Sequence, residues 1–271
     1  MARIAVLQMT SGIDPAANAA TMVDALEIAA RSGATMMFTP EMSGLLDRDR
    51  ARAATSIVLE EDDAVLARMR EAAASTGVWV AIGSLAVLRE DGRYANRAFV
   101  IDGSGAIVAR YDKLHMFDVD LPTGESWRES NAYAPGDAVA TVETPVGRLG
   151  LAICYDVRFP ALFEALGRAR CDVIAIPAAF TVPTGQAHWH LMQRARAVEA
   201  SAYVIAVAQV GHHADGRSTY GHSLVIDPWG TVLLDMGGAG AGLAFADIDP
   251  ARIAEVRAQL PSLANRRFIP N

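Results

Sequence analysis

The chain is poor in cysteine. Its 271 residues include two, Cys154 and Cys171, too far apart for a CxxC clip. Two such cysteines build no disulfide framework and point to a reducing compartment, the cytoplasm. Charge is scarce as well: 20% of residues are Asp, Glu, Lys or Arg, the formal net charge is −7, and no Lys/Arg-rich run occurs. A nucleic-acid or acidic-membrane binder would carry a basic stripe, so neither partner is expected. No stretch approaches the ~18 uninterrupted apolar residues a membrane span needs. The opening MARIAVLQMTSGIDP has too short an apolar run for a secretory signal. Gly237–Gly242 matches neither a dinucleotide fingerprint nor a Walker loop and reads as a flexible turn.

Hydrophobic residues make up 52% of the chain, enough for a sizeable core at this length. Arg3–Met9 reads as a buried strand. Asp14-Pro15 reads as an N-cap followed by Pro at the first helical position, opening an Ala-rich helix to about Ser32 with Gly33 at its end. Met36–Thr39 is a short buried strand, 62–74 a helix, and Val78–Val87 a strand. Asp91-Gly92 and Asp102-Gly103 are hairpin signals. Lys113–Asp137 has no periodicity and reads as one long loop, a length that usually carries function. Strands follow at 149–153, 173–177, 203–209, 223–226, 231–234 and 243–248, with helices from Pro160, over 186–200 and from Pro250. About a dozen strands exceed what one open sheet holds comfortably. The expected class is α/β: a four-layer α-β-β-α sandwich with two mixed β-sheets packed face to face, as a single domain over 1–271.

Three segments carry candidate chemistry. Cys154 ends a buried strand just before a helix, where outward-pointing N–H groups favour a thiolate and the N–H of Tyr155 can bind an oxyanion; a structural buried cysteine is the alternative, and the reading given to Cys171. Glu41 follows the apolar Phe38-Thr39-Pro40, a setting expected to raise its pKa and suit a general base. Lys113, in Tyr111-Asp112-Lys113-Leu114-His115, would alone read as a surface residue. The histidines suggest a metal-dependent hydrolase as a competitor. On a helix, however, His188 and His190 point roughly 200° apart and cannot easily share an ion. His212 and His213 read as a solvated loop. No metal is expected.

Taken together, the segments around Glu41, Lys113 and Cys154 resemble the nitrilase superfamily of carbon–nitrogen hydrolases. So do Gly150–Pro160, Ala187-His188-Trp189, Arg194–Glu199, Tyr220–Ser223 and Asp227–Gly230, in this order along nearly the whole chain. The resemblance implies a Glu-Lys-Cys triad with Glu41 as base, Cys154 as nucleophile, and Lys113 with the Tyr155 N–H at the oxyanion. It also implies a second carboxylate in the long loop, Glu129 by position or, less well, Glu125. It implies no cofactor, and a homodimer or larger even assembly with the C-terminal tail, including Phe268, across the partner. Within the superfamily the chain looks most like the Nit branch, whose members include amidases of deaminated glutathione and of α-ketoglutaramate. The run 212–223 resembles the former more closely. Such substrates are small anionic amides, so Arg158 is the first candidate to meet a carboxylate, with Phe180, Thr181 and His188 as further substrate-binding candidates. A nitrile hydrolase and a catalytically silent binding relative are the competing readings.

Overall fold

The computed structural model describes residues 1–120, 124 and 126–267. Glu125 and Phe268 therefore lie outside the described residues. The first sheet is built from β1 (Ala2–Gln8), β2 (Met36–Phe38), β3 (Trp79–Leu88), β4 (Tyr94–Ile101), β5 (Ile107–Asp112) and β16 (Gly242–Ile248), in the order β16-β1-β2-β3-β4-β5. Its three middle strands run parallel, and antiparallel strands flank them. The second sheet repeats that plan, in the order β15-β14-β11-β10-β9-β8. It uses β8 (Thr141–Thr144), β9 (Gly147–Leu151), β10 (Val173–Ala175), β11 (Tyr203–Ala206), β14 (Leu224–Ile226) and β15 (Val232–Asp235). Again β9, β10 and β11 are parallel between antiparallel flanks.

The strand sequences explain the layering. Parallel strands covered on both faces read as continuous apolar runs. In β1, Ile4 and Val6 pack with residues of β9 and β10, whereas Ala5 and Leu7 pack with the helices on the outer face. Those helices are α1 (Pro15–Arg31) and α3 (Ala64–Thr76), through Met22, Leu26, Leu66 and Met69. The second sheet is covered by α4 (Pro160–Arg168) and α5 (Val182–Ala200), through Phe163, Leu166, Trp189 and Ala197. The four-layer sandwich is therefore observed.

Local signals account for the ends of elements. Asp14 accepts from Ala16 and Ala17 N–H and Pro15 opens α1, as expected. The second helix begins at Ala64 rather than 62, because the capping carboxylate is that of Asp63, which accepts from Leu66 N–H. The short α2 (Arg50–Ala54), capped by Asp49, lacks the length to show periodicity and went unanticipated. The helix expected from Gln186 starts at Val182, since the Thr/Pro/Gly stretch supplies its first turn with Pro in a tolerated position.

Lys113–Asp137 is not one irregular loop. It contains a hairpin, β6 (Asp118–Asp120) with β7 (Ser126–Arg128), and a 3₁₀ turn over Glu129–Asn131. Strands of three residues leave too little alternation to detect. The same holds for β12 (Val210–His212) and β13 (Ser218–Tyr220). Their pairing buries His213, which contacts Ser11 O and Thr219 Oγ1, so it is no solvated loop residue. The last helix is α6 (Pro250–Gln259). Among the described residues no helix is long and apolar enough to cross a membrane.

Candidate active site

Glu41, Lys113 and Cys154 come from three separate chain segments and meet between the two sheets. Glu41 follows β2, Lys113 follows β5, and Cys154 lies beyond β9. Glu41 is positioned by a close backbone crossing. A Cβ on Gly83 of β3 would lie 2.2 Å from Thr39 O and 2.4 Å from Pro40 O, so only glycine lets the strand pass beneath Pro40. From the second sheet side, Gln209 Nε2 donates to Glu41 O at 2.9 Å. Cys154 opens a 3₁₀ turn (Cys154–Arg158) in a left-handed conformation, φ 48°. A non-glycine residue held there marks a strained turn of the kind that concentrates at functional sites.

Asp156 locks that turn to the Lys113 segment. Its Oδ2 accepts from Ile153 N at 2.9 Å and Tyr111 OH at 2.7 Å, and its Oδ1 accepts from His115 N at 3.0 Å. His115 in turn stacks on Phe159, with ring centroids 3.6 Å apart. Because Asp156 N–H is the first donor of the 3₁₀ turn, bonded to Ile153 O, the Tyr155 N–H precedes the hydrogen-bonded series.

Lys113 Nζ sits 3.1 Å from Glu41 Oε1 and 2.8 Å from Glu129 Oε2. Asn96 Nδ2 spans the same two carboxylates, at 2.9 Å and 3.1 Å. The remaining Glu41 oxygen accepts from Ala179 N at 2.8 Å, and Glu129 accepts from Phe117 N at 2.7 Å. Glu41, Lys113 and Cys154 are all buried. Asn96 was not anticipated, since an Asn inside an apolar strand looks like any buried polar residue; its one signal was that position. Asp156 and Tyr111 were missed for the same reason.

The electrostatics correct two expectations. Burial alone would raise the Glu41 carboxyl, but the Lys113 charge and hydrogen bonds from Cys154, Lys113 and Asn96 outweigh it and hold the carboxyl below its ordinary value. The Cys154 thiol is not driven to thiolate. Burial pushes it well up, the Glu41 charge pushes the same way, and Lys113 only partly opposes them. Burial works against the Lys113 charge, yet Glu129 and Glu41 together hold its ammonium well above its usual range. The resting arrangement is an ionised Glu41, a charged Lys113 and a neutral Cys154 thiol, all buried in one site.

These groups line a cavity of about 540 Å³ that Glu129, Tyr155, Arg158, Phe180 and Thr181 also line. Arg158 lies 5.5 Å above the Phe180 ring, 6.0 Å from that of Tyr155, and 3.3 Å from His188 Nδ1. His188 itself is exposed and does not line the cavity; it stands behind Arg158. Arg48, Arg50, Arg128 and Arg217 line the same cavity.

The sequence model of the carbon-nitrogen hydrolases matches residues 3–258. The chain belongs to the carbon–nitrogen hydrolase family. It is therefore a hydrolase of amide-type carbon–nitrogen bonds. A protein of Yersinia enterocolitica named deaminated glutathione amidase is 36% identical over 271 residues, covering 99% of this chain and 94% of that one. The human protein of the same name is 38% identical, covering 97% and 82%. Among solved structures, the NitFhit protein of C. elegans superposes with a TM-score of 0.90 at 36% identity; it covers 98% of this chain, which spans 66% of that longer protein. Nit3 of Saccharomyces cerevisiae, a member of branch 10 of the nitrilase superfamily, superposes with a TM-score of 0.88 at 26% identity, covering 98% and 97%.

Proposed function

We propose that this carbon–nitrogen hydrolase releases ammonia from a small carboxylate-bearing amide, deaminated glutathione or a close analogue, through a thioester on Cys154. The observation that carries the reading is the buried 3.1 Å ion pair of Glu41 with Lys113 in the same site as the buried Cys154 thiol. A thiol kept neutral at rest needs a base at the moment of attack, and Glu41 is the carboxylate whose charge acts on it in the same buried site.

In this mechanism Glu41 takes the thiol proton as Sγ adds to the amide carbonyl carbon. The electron pair moved onto oxygen is stabilised by the Lys113 ammonium and the Tyr155 N–H; such donors are commonly worth ~3 kcal/mol each. Collapse of the adduct breaks the carbon–nitrogen bond, and Glu41 returns its proton to the departing ammonia. Glu41 then deprotonates water for attack on the thioester, and the carboxylic acid leaves with the thiol restored. Glu129 holds Lys113 in place, and with Asn96 it keeps the ammonium from collapsing onto Glu41 alone. No step calls for a cofactor.

The choice of an anionic substrate rests on Arg158 and on the names of the relatives. Among the described residues Arg158, like Arg48 and Arg50, lines the cavity without a carboxylate partner, whereas Arg217 and Arg128 pair with Asp215 and Asp120. Phe180 and Thr181 would contact the acyl chain, and His188 would act by supporting Arg158. The whole chain would work as one domain, in the cytoplasm, where two unpaired cysteines persist. Exposed Leu191, Val198, Trp229 and Leu233 support a homodimer; a strictly monomeric mass by light scattering would refute that assembly.

The deciding experiment measures ammonia release from deaminated glutathione, α-ketoglutaramate and a simple nitrile. The expected order places deaminated glutathione first by kcat/KM. A preference for either of the others would overturn the substrate, and undiminished turnover by Cys154→Ala would overturn the mechanism.

A further inference from the structure

Away from the cavity, three metal-ligating side chains converge from three different elements. His190 comes from α5, His222 from the link between β13 and β14, and Asp235 from the end of β15. One ligand atom of each lies within 4.8 Å of the others. His190 Nε2 is 2.9 Å from Asp235 Oδ2, and His222 Nδ1 is 2.9 Å from Asp235 Oδ1. None of the three lines the active-site cavity. From these contacts we propose that His190, His222 and Asp235 form a surface binding site for a divalent transition-metal ion such as zinc.

The surrounding structure holds the set ready. His222 adopts a left-handed backbone, φ 56°, which a bulky residue takes only when held there. Its N–H donates to Gly237 O at 2.9 Å, and its carbonyl accepts from Trp189 Nε1 at 2.7 Å. Its ring stacks on Tyr220, with centroids 4.5 Å apart and planes 23° apart. Asp235 Oδ1 accepts from Gly237 N at 2.8 Å, so the loop that fixes His222 also fixes the carboxylate. Burial would raise the Asp235 carboxyl, but hydrogen bonds from His190 and Gly237 and the His222 ring outweigh it and lower it.

The donor chemistry selects the ion. Two imidazoles and one carboxylate suit zinc, nickel or copper, whereas calcium and magnesium take oxygen ligands. Tetrahedral zinc with bonds of ~2.0–2.2 Å needs ligand atoms about 3.3–3.6 Å apart, so the two 2.9 Å histidine–carboxylate contacts open slightly, a small adjustment for side chains on a partly open surface. The side chains are 26–38% exposed, which leaves the fourth position to water. The sequence argument against His188 and His190 as a pair stands, because they do face different partners, Arg158 and Asp235. His190 finds its companion on the neighbouring strands instead.

The test titrates zinc chloride into the tag-free chain by calorimetry, with cobalt(II) absorption as a second readout. Because a thiol beside carboxylates also binds zinc, the titration is repeated on Cys154→Ala. The expected result is one ion per chain in both proteins, visible-region cobalt bands, and at least tenfold weaker binding in both His190→Gln and Asp235→Asn. Retained ammonia release by His190→Gln shows that the fold persists. Three results would overturn the site: no saturable binding below ~1 mM, binding indifferent to either substitution, or binding lost with Cys154→Ala.

Discussion

Cys154 and Cys171 are both buried, both free, and both flank strands of the same parallel core. Their neighbours separate them. Cys171 packs against the floor of β9, where a Cβ on Gly150 would meet its Sγ at 2.9 Å and Leu166 at 2.8 Å. Burial pushes its thiol up to about 12. Cys154 has a raised thiol too, but a carboxylate, an ammonium and an open cavity share its surroundings. The difference teaches that pKa direction alone does not distinguish a candidate nucleophile from a packing cysteine. What distinguishes them is whether an ionised base is in reach.

The sharpest way to break the comparison is to remove each thiol. Cys154→Ala should lower kcat for ammonia release by at least about 10⁴-fold, while Cys171→Ala should leave it within about twofold. Equal losses would erase the distinction.

Removing the base comes next. Glu41→Gln should cost about 10²–10⁴ in kcat, the span of general-base contributions, and should slow alkylation of Cys154 by iodoacetamide. In the native protein Cys154 should be labelled well before Cys171, as followed by peptide mass. Simultaneous slow labelling of both would mean that Glu41 does not activate the thiol.

Much of this was legible in the sequence. The N-cap at Asp14, the left-handed Gly33 one residue past the Ser32 C-cap, and the turns at Asp91-Gly92 and Asp102-Gly103 follow from patterns within a few residues. Glu41, Lys113 and Cys154 were legible by resemblance, and the fold does bring them together. The direction of their titration was not, because it depends on the Lys113 charge and the Asn96 amide arriving from other strands. Nor was the support by Asp156, whose four donors come from both sides of the site.

The pH profile gives a smaller, directional test. Glu41 lies below its ordinary 4.5, so its share of stability is fully present above that value and is lost as pH falls through the lowered one. The acid limb of kcat/KM should accordingly fall below pH 4.5; a midpoint near 6 would mean that the carboxyl is raised instead. The smallest effect belongs to Cys171→Ala, about 1 kcal/mol of stability by denaturant unfolding, from a small cavity beside Gly150.

The pairing of β16 with β1 has a consequence for biosynthesis. The register joins Ala2 to Ile248, so the first strand of the sandwich gains its outer neighbour only after residues 242–248 have been made. Pairing at such sequence separation carries a high loop-closure cost and comes late in folding. Activity should therefore lag secondary structure during refolding, and nascent chains halted before residue 242 should carry every triad residue yet hydrolyse nothing.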